Sequence, residues 1–78
     1  MSADVKISGQ LKGAPHIQYV TTRHGTTYSF HTNGRPVSVQ LIRTNGRVEY
    51  RNQDLPETFS PQLRLDLGKV SKHFNGIK

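Results

Sequence analysis

The chain has 78 residues and no cysteine, which predicts a single domain, 1–78, without disulfides and without a thiolate metal site. Eleven Lys and Arg against five Asp and Glu give a net charge of +6, which favours polyanionic partners, nucleic acid first among them. No apolar run exceeds two residues, so we expect no membrane span and no signal peptide, and hence a cytoplasmic protein.

Apolar and polar residues alternate along most of the chain. This period of two is typical of half-buried antiparallel strands, and β-branched and aromatic residues reinforce it. Such a small domain buries only about 60% of its unfolded surface, so extra burial in a homodimer would help it. The predicted strands lie within 5–11, 17–22, 26–32, 36–43, 47–51 and 63–67.

Glycine turns separate these strands. Asn33-Gly34 and Asn45-Gly46 each predict a two-residue type I′ hairpin turn, because Asn and Gly tolerate positive φ best. Each pair lies in a Thr-Asn-Gly-Arg repeat, which we interpret as one turn used twice, with Arg35 and Arg47 at opposite ends of a sheet. Gly25 marks another tight turn, and Asn75-Gly76 repeats the signal near the C-terminus.

The remaining segments add little regular structure. Two prolines in 52–61 predict a loop, and only 68–74 has a composition that suits a short helix. The sequence therefore predicts an all-β barrel of about five short antiparallel strands, because small barrels leave no open sheet edge.

Catalytic and metal-binding signals are weak. The carboxylates form no evident acid–base pair, and no serine lies in a nucleophile elbow. The four histidines lack the close spacing of zinc ligands. We therefore expect a non-catalytic protein with no cofactor and no metal. The histidines are His16, His24, His31 and His73.

The segment TTRHGTTYSFH is the best binding candidate. Arg23 and His24 flank the turn glycine, where they can contact phosphates. Tyr28 and Phe30 lie two apart and so share one face of a strand, where bases can stack on them at about 1–3 kcal/mol each. The alternative is that both rings belong to the core. For Phe30 both interpretations stay open, whereas the phenol of Tyr28 favours a partly wet, functional position.

Four blocks in order suggest a family. They comprise Arg23, Gly25, Tyr28, Ser29 and Phe30; Pro36, Val37, Val39, Leu41, Gly46 and Tyr50; Pro56, Phe59 and Ser60; and Lys69, Val70 and Phe74. Together they resemble the single-stranded-DNA-binding proteins of filamentous bacteriophages. The link from Tyr28 to Pro36 is shorter than in that family, and the chain stops before the family's last strand.

The resemblance implies a dimeric, five-stranded antiparallel OB-type barrel with protruding β-hairpins. It implies that Arg23 contacts phosphate, that Tyr28 stacks on a base and that Phe74 stacks from a hairpin at the dimer dyad. Charge alone adds His24, Arg35 and Lys72. The implied function is cooperative, sequence-tolerant coating of single-stranded DNA during phage DNA replication and packaging in the host bacterial cytoplasm. The resemblance also implies repression of phage messages through RNA binding.

Other interpretations remain open. Val5, Gly9, Leu11, Pro15 and Tyr19 resemble the opening of bacterial single-strand-binding proteins, which share the fold and the ligand. A rival of another class is a small basic β-barrel that binds an acidic protein, such as a phage-encoded inhibitor of a host factor. A second rival is a regulator that binds double-stranded DNA or RNA.

Overall fold

The computed structural model describes residues 7–76. Five strands are followed by one helix. They are Ile7–Leu11 (β1), Ala14–Thr22 (β2), Gly25–Thr32 (β3), Arg35–Thr44 (β4), Arg47–Asp54 (β5) and Pro61–Gly76 (α1). Val5, at the start of the predicted first strand, lies outside the described residues.

The strands form one antiparallel sheet in the order β1-β2-β3-β4-β5. The prediction of a mostly β protein with five antiparallel strands is therefore confirmed. The prediction of a closed barrel is wrong, because β1 and β5 are the two edges of the sheet and do not pair with each other. The sheet does not close into a barrel. Instead, α1 packs on β2 and β3 and covers one face of the sheet.

The Asn-Gly turns are as predicted. Asn33 and Gly34 have φ values of 52° and 77°, and Asn45 and Gly46 have 54° and 80°, as a type I′ turn requires. The β3–β4 and β4–β5 turns lie at opposite ends of the sheet, which follows from the antiparallel order. We call the end with the β2–β3 and β4–β5 turns the arginine end, since Arg23, Arg43 and Arg47 all lie there.

The C-terminal quarter is helical, so the predicted strand over 63–67 and the predicted hairpin around Lys69 and Phe74 are both wrong. The buried positions of α1 follow the 3.6-residue period of a helix. Ser60 caps the first turn, where its Oγ accepts a hydrogen bond from the Leu63 N–H at 3.2 Å, and Pro61 stands at the first helical position. The buried residues of α1 are Leu63, Asp66, Val70 and Phe74.

All of the large buried side chains lie between α1 and the sheet. Tyr28 and Phe30 on β3 share this covered face with Val37, Val39 and Leu41 on β4. Asp66 is the one buried acid of the described residues, and its Oδ1 accepts hydrogen bonds from Gln62 at 3.2 Å and from His16 at 3.0 Å. The His16 bond ties α1 to β2. The core has one cover, and the other face of the sheet stays open.

A substitution at Gly25 tests the backbone conformation and packing at the arginine end. Its φ is 129°, and a Cβ there would lie 2.6 Å from the backbone oxygen of Leu41. We expect Gly25→Ala to lower the free energy of unfolding by about 2 kcal/mol or more, because strained backbone and a backbone clash add. Urea denaturation followed by circular dichroism measures this.

Gly68→Ala is the matched control, with the same added methyl group on an exposed helical glycine whose Cβ would meet nothing within 4 Å. It should raise stability by about 0.5–1 kcal/mol through helix propensity. Equal effects of the two substitutions would contradict the assigned backbone of this turn.

Candidate nucleic-acid interface

The β2–β3 turn places two predicted contact residues side by side. Thr22 pairs with Gly25, so Arg23 and His24 form a two-residue turn. The backbone N–H of His24 donates to Thr22 Oγ1 at 3.1 Å, which closes the turn locally. Both side chains are exposed at the arginine end.

The face of the sheet opposite α1 is polar. Directly opposed strand residues share a face, so the strand pairing assigns its members. Val20 and Ile42 are the large apolar side chains on it, and both are half-buried. The rest are mainly hydroxyl and amide side chains: Gln18, Thr22, Thr27, Ser29, Ser38, Gln40, Thr44 and Asn52.

This open face has a depression of about 570 Å³ at the arginine end. Its rim carries Arg23, Arg43 and Arg51, together with His24. Gln40, Ile42 and Asn52 contribute lining from the sheet itself. We call it the arginine depression. Its sides combine cations suited to phosphates with amides suited to the donor and acceptor edges of bases.

Hydrogen bonds orient the side-chain amides of Gln40 and Asn52 in the arginine depression. Asn52 Nδ2 donates to Gln40 Oε1 at 2.6 Å, and Gln40 Nε2 donates to the His24 carbonyl at 3.5 Å. This chain links β5 through β4 to the β2–β3 turn. It orients the amides without using all of their hydrogen-bonding capacity, since each side-chain amide has two donors and two acceptor lone pairs.

A β-bulge brings Arg51 to the arginine depression. Gln40 pairs with Asn52, but the next residue, Leu41, pairs with Tyr50, so Arg51 is the extra residue of β5. Arg51 and Asn52 therefore both line the depression, although successive residues of a regular strand point to opposite faces. Arg51 makes no ion pair with any carboxylate within residues 7–76.

Arg43 also holds the end of α1. Its Nη2 donates to the Phe74 carbonyl at 2.7 Å, and its Cζ lies 4.8 Å from the centroid of the Phe74 ring. A cation at a helix C-terminus interacts favourably with the helix dipole. Arg43 is therefore a structural cation, and its guanidinium lies on the α1 side of the sheet although the residue also lines the depression.

One carboxylate lies near this cluster. Glu49 pairs with Ile42 and shares the open face with it. It reduces the local positive potential next to the arginine depression. The cations that line the depression still outnumber it, so the local potential remains positive.

The predicted stacking residues are buried. Tyr28 has 0% exposure, Phe30 4% and Phe74 5%, and all three rings pack between the sheet and α1. A base needs an open ring face, so stacking on these three residues is wrong for this fold. The core alternative is the correct one for Phe30, and it holds for Tyr28 as well.

The Tyr28 phenol explains how a polar ring fits the core. Its hydroxyl lies 2.8 Å from Nδ1 of His73, whose ring also packs on Tyr19 with centroids 4.6 Å apart. Burial raises the pKa of Tyr28 well above the ordinary tyrosine value; Tyr19 adds to the rise and Arg43 opposes it. The phenol is thus a neutral core group.

Two further predicted residues lie away from the arginine depression. Arg35 is at the opposite end of β4 and pairs with Asp54 at 3.2 Å, with both side chains largely exposed. Lys72 is exposed on α1, on the covered side of the sheet. Of the seven predicted contact residues, only Arg23 and His24 therefore meet at this site.

Sequence reasoning missed Gln40, Arg51 and Asn52. The Asn45-Gly46 turn fixes the register of β4 and β5, so alternation alone predicts Gln40 and Ile42 on one face. The bulge breaks that register at Arg51, and no local signal marks it. No group of three His, Asp or Glu among residues 7–76 is arranged to hold a metal ion. Within the same residues, no helix is long and apolar enough to cross a membrane.

Comparison of the chain with protein-family models, with curated proteins and with solved structures found no match. The resemblance to the phage proteins therefore rests on its sequence blocks alone. The last of these, Lys69, Val70 and Phe74, lies in α1 and not in a hairpin.

Because the Tyr28 phenol is buried, we expect the free energy of unfolding to depend on pH. Because the pKa of Tyr28 is raised in the folded state, its stabilising contribution is complete below the unfolded-state pKa of about 10 and is lost as the pH rises above it. We expect the free energy of unfolding to fall less steeply above pH 10 in Tyr28→Phe than in the parent. Near neutral pH the variant should be about 1 kcal/mol less stable, because His73 loses its partner.

Urea unfolding at a series of pH values measures both effects. Tyr19 and Tyr50 are present in both proteins, so their contributions cancel in the comparison. Parallel stability curves for the two proteins would show that the Tyr28 phenol is not protected in the folded state.

Proposed function

We propose that the protein binds single-stranded nucleic acid without catalysing a reaction, and that single-stranded DNA is its principal ligand. The observation that carries this proposal is the arginine depression on the open face of the sheet. There Arg23, His24 and Arg51 surround the amides of Gln40 and Asn52. The net charge of +6 and the resemblance of the sequence blocks to phage single-strand-binding proteins support the choice of ligand.

Binding in this proposal begins with phosphates. Arginine side chains displace counterions from the nucleic-acid backbone, which makes the affinity fall as salt rises, with a slope of about −0.7 per phosphate on single strands. The guanidinium group suits this role, because its planar fork matches phosphate oxygens and stays charged at all relevant pH values.

In this proposal the bases contact side chains on the open face of the sheet and do not stack on aromatic rings. An unpaired strand can turn its base edges toward Gln40 and Asn52, while Ile42 offers an apolar surface. Duplex DNA keeps its Watson–Crick edges paired and presents only its groove edges, so fewer base donors and acceptors can reach the amides. Tyr50 is 43% exposed on β5, but it pairs with Leu41 and so lies on the α1 side of the sheet, away from these amides.

By the same resemblance, the biological role would be to coat phage single strands as a homodimer in the bacterial cytoplasm. The dimer has a candidate surface in β5. This edge strand is exposed along its whole length and carries Val48 at 39% exposure beside Tyr50. Edge strands readily add a further strand from another chain.

That edge also favours a second candidate function, the binding of a protein partner. A partner strand added to β5 would pack beside Val48 and Tyr50 and would also lie next to Arg51 and Asn52 of the arginine depression. A Val48→Lys substitution then separates the candidates. It should abolish binding of a protein partner, while binding of a short oligothymidine persists.

Fluorescence anisotropy of a labelled oligothymidine tests the lead proposal. Arg51→Gln should weaken binding about tenfold, because one charge-assisted phosphate contact is lost, and should reduce the salt slope by about 0.7. The matched control is Arg64→Gln, which removes the same charge from an exposed position on α1 and should leave the slope unchanged.

Glu49, the acid next to the arginine depression, gives a prediction of opposite sign. Glu49→Gln should strengthen oligothymidine binding about two- to fivefold at low salt, since a repulsive charge leaves the margin of the site. The same titration with duplex DNA and with oligouridine measures selectivity. Equal affinity for duplex, or equal loss in Arg51→Gln and Arg64→Gln, would overturn the proposed function.

A further inference from the structure

A second basic surface lies on the other side of the sheet. The β1–β2 turn and the C-terminal half of α1 form a cleft of about 490 Å³. Lys12 comes from the turn, and Lys69 and Lys72 come from the helix. We call it the lysine cleft. Its size suits a small-molecule ligand.

The three ammonium groups of the lysine cleft are not neutralised locally. None of the three lysines lies within ion-pair distance of a carboxylate of residues 7–76. No acidic residue lines the cleft. Holding three like charges around one cavity costs free energy unless an anion offsets them, so this cluster favours a ligand of high charge density.

His73 adds an oriented donor. The Tyr28 hydroxyl is buried, and Nδ1 of His73 at 2.8 Å is its partner among the described residues. A buried hydroxyl needs an acceptor for its proton, so the phenol donates to Nδ1, which leaves Nε2 as the ring nitrogen that carries the N–H. The core thus fixes the tautomer of a histidine that lines the lysine cleft.

The walls leave room for more than an inorganic ion. Leu11 provides an apolar wall, and Gly13 and Gly76 add no side-chain bulk. The negative end of the α1 dipole is nearby, but the Phe74 carbonyl already accepts a hydrogen bond from Arg43. The lysine stems extend the apolar surface while their charged ends stay in water.

We propose that the lysine cleft binds a terminal phosphate carried by a nucleotide, with the phosphate on the lysines and the sugar and base against Leu11 and the His73 ring. A terminal phosphate carries nearly two negative charges near neutral pH, whereas each internal phosphodiester carries one. Three lysines that line one cleft therefore favour a strand end or a free nucleotide over an internal phosphate. This site is distinct from the arginine depression on the open face.

Two probes distinguish the two sources of such a phosphate. The first is free deoxyadenosine monophosphate, followed through the ring resonances of His73 by NMR. The second is a pair of 3′-labelled oligothymidines, one with a 5′-phosphate and one with a 5′-hydroxyl, compared by fluorescence anisotropy. A nucleotide-binding cleft predicts a His73 shift with the first probe, and a strand-end site also predicts tighter binding of the 5′-phosphorylated oligomer.

The test variant is Lys69→Gln/Lys72→Gln, and the control is Arg35→Gln/Arg64→Gln, which has the same net charge. The test variant should bind deoxyadenosine monophosphate about tenfold or more weakly and lose any preference for the 5′-phosphate. The control should retain both properties. Both variants should keep the circular dichroism of the parent, because all four side chains are exposed.

Three outcomes overturn the proposal. One is the absence of a His73 shift with deoxyadenosine monophosphate, and another is an equal loss of its binding in both double variants. The third is an equal loss of 5′-phosphate and 5′-hydroxyl oligomers in the lysine variant, which would make the lysines a general contact for the strand. Because Arg51→Gln tests the open face separately, failure of the lysine cleft leaves the proposed function standing.

Discussion

The packing of α1 against β2 and β3 is the contact on which the rest of the structure depends. Leu63, Val70 and Phe74 meet a sheet whose fully buried apolar residues all lie on one face. A single sheet layer with one apolar face needs one cover, and a helix of 16 residues supplies it. Without α1, Tyr28, Phe30 and Leu41 would be exposed together. The open face can then be polar at no cost to the core, which leaves it available for a ligand.

This division of faces separates the two basic surfaces. The arginine depression belongs to the open face and takes its cations from the β2–β3 turn and from β5. The lysine cleft belongs to the covered side, between the β1–β2 turn and α1. Arg43 stands between the two, since it lies on the rim of the depression and holds the last turn of the helix. Loss of that hydrogen bond would therefore disturb the frame of both sites.

The sequence predicted the sheet better than it predicted the site. Strand positions and Asn-Gly turns depend on neighbouring residues, so alternation and turn chemistry were enough to find β1 to β5. The leucines at 63, 65 and 67 fit a period of two, but the buried set is 63, 66, 70 and 74, and Asp66 hid the helical period because it is a buried acid. Ser60 and Pro61, which form the start of the helix, were interpreted only as part of a loop. The bulge at Arg51 had no local signal at all.

The error over the aromatic residues has one physical cause. Alternation correctly places Tyr28 and Phe30 on the same face of β3, but it cannot say which face is covered. That choice is made by α1, more than thirty residues away in the chain. On an uncovered sheet, the aromatic face of β3 would be accessible for base stacking. Because α1 packs on that face, Tyr28 and Phe30 are buried in the core. With the aromatic face buried, the side chains left accessible to a ligand are those on the opposite face. They include Thr27, Ser29, Gln40 and Asn52. In the proposed function, binding at this face would therefore depend on charge and hydrogen bonding and not on ring stacking, which would make the affinity more sensitive to salt.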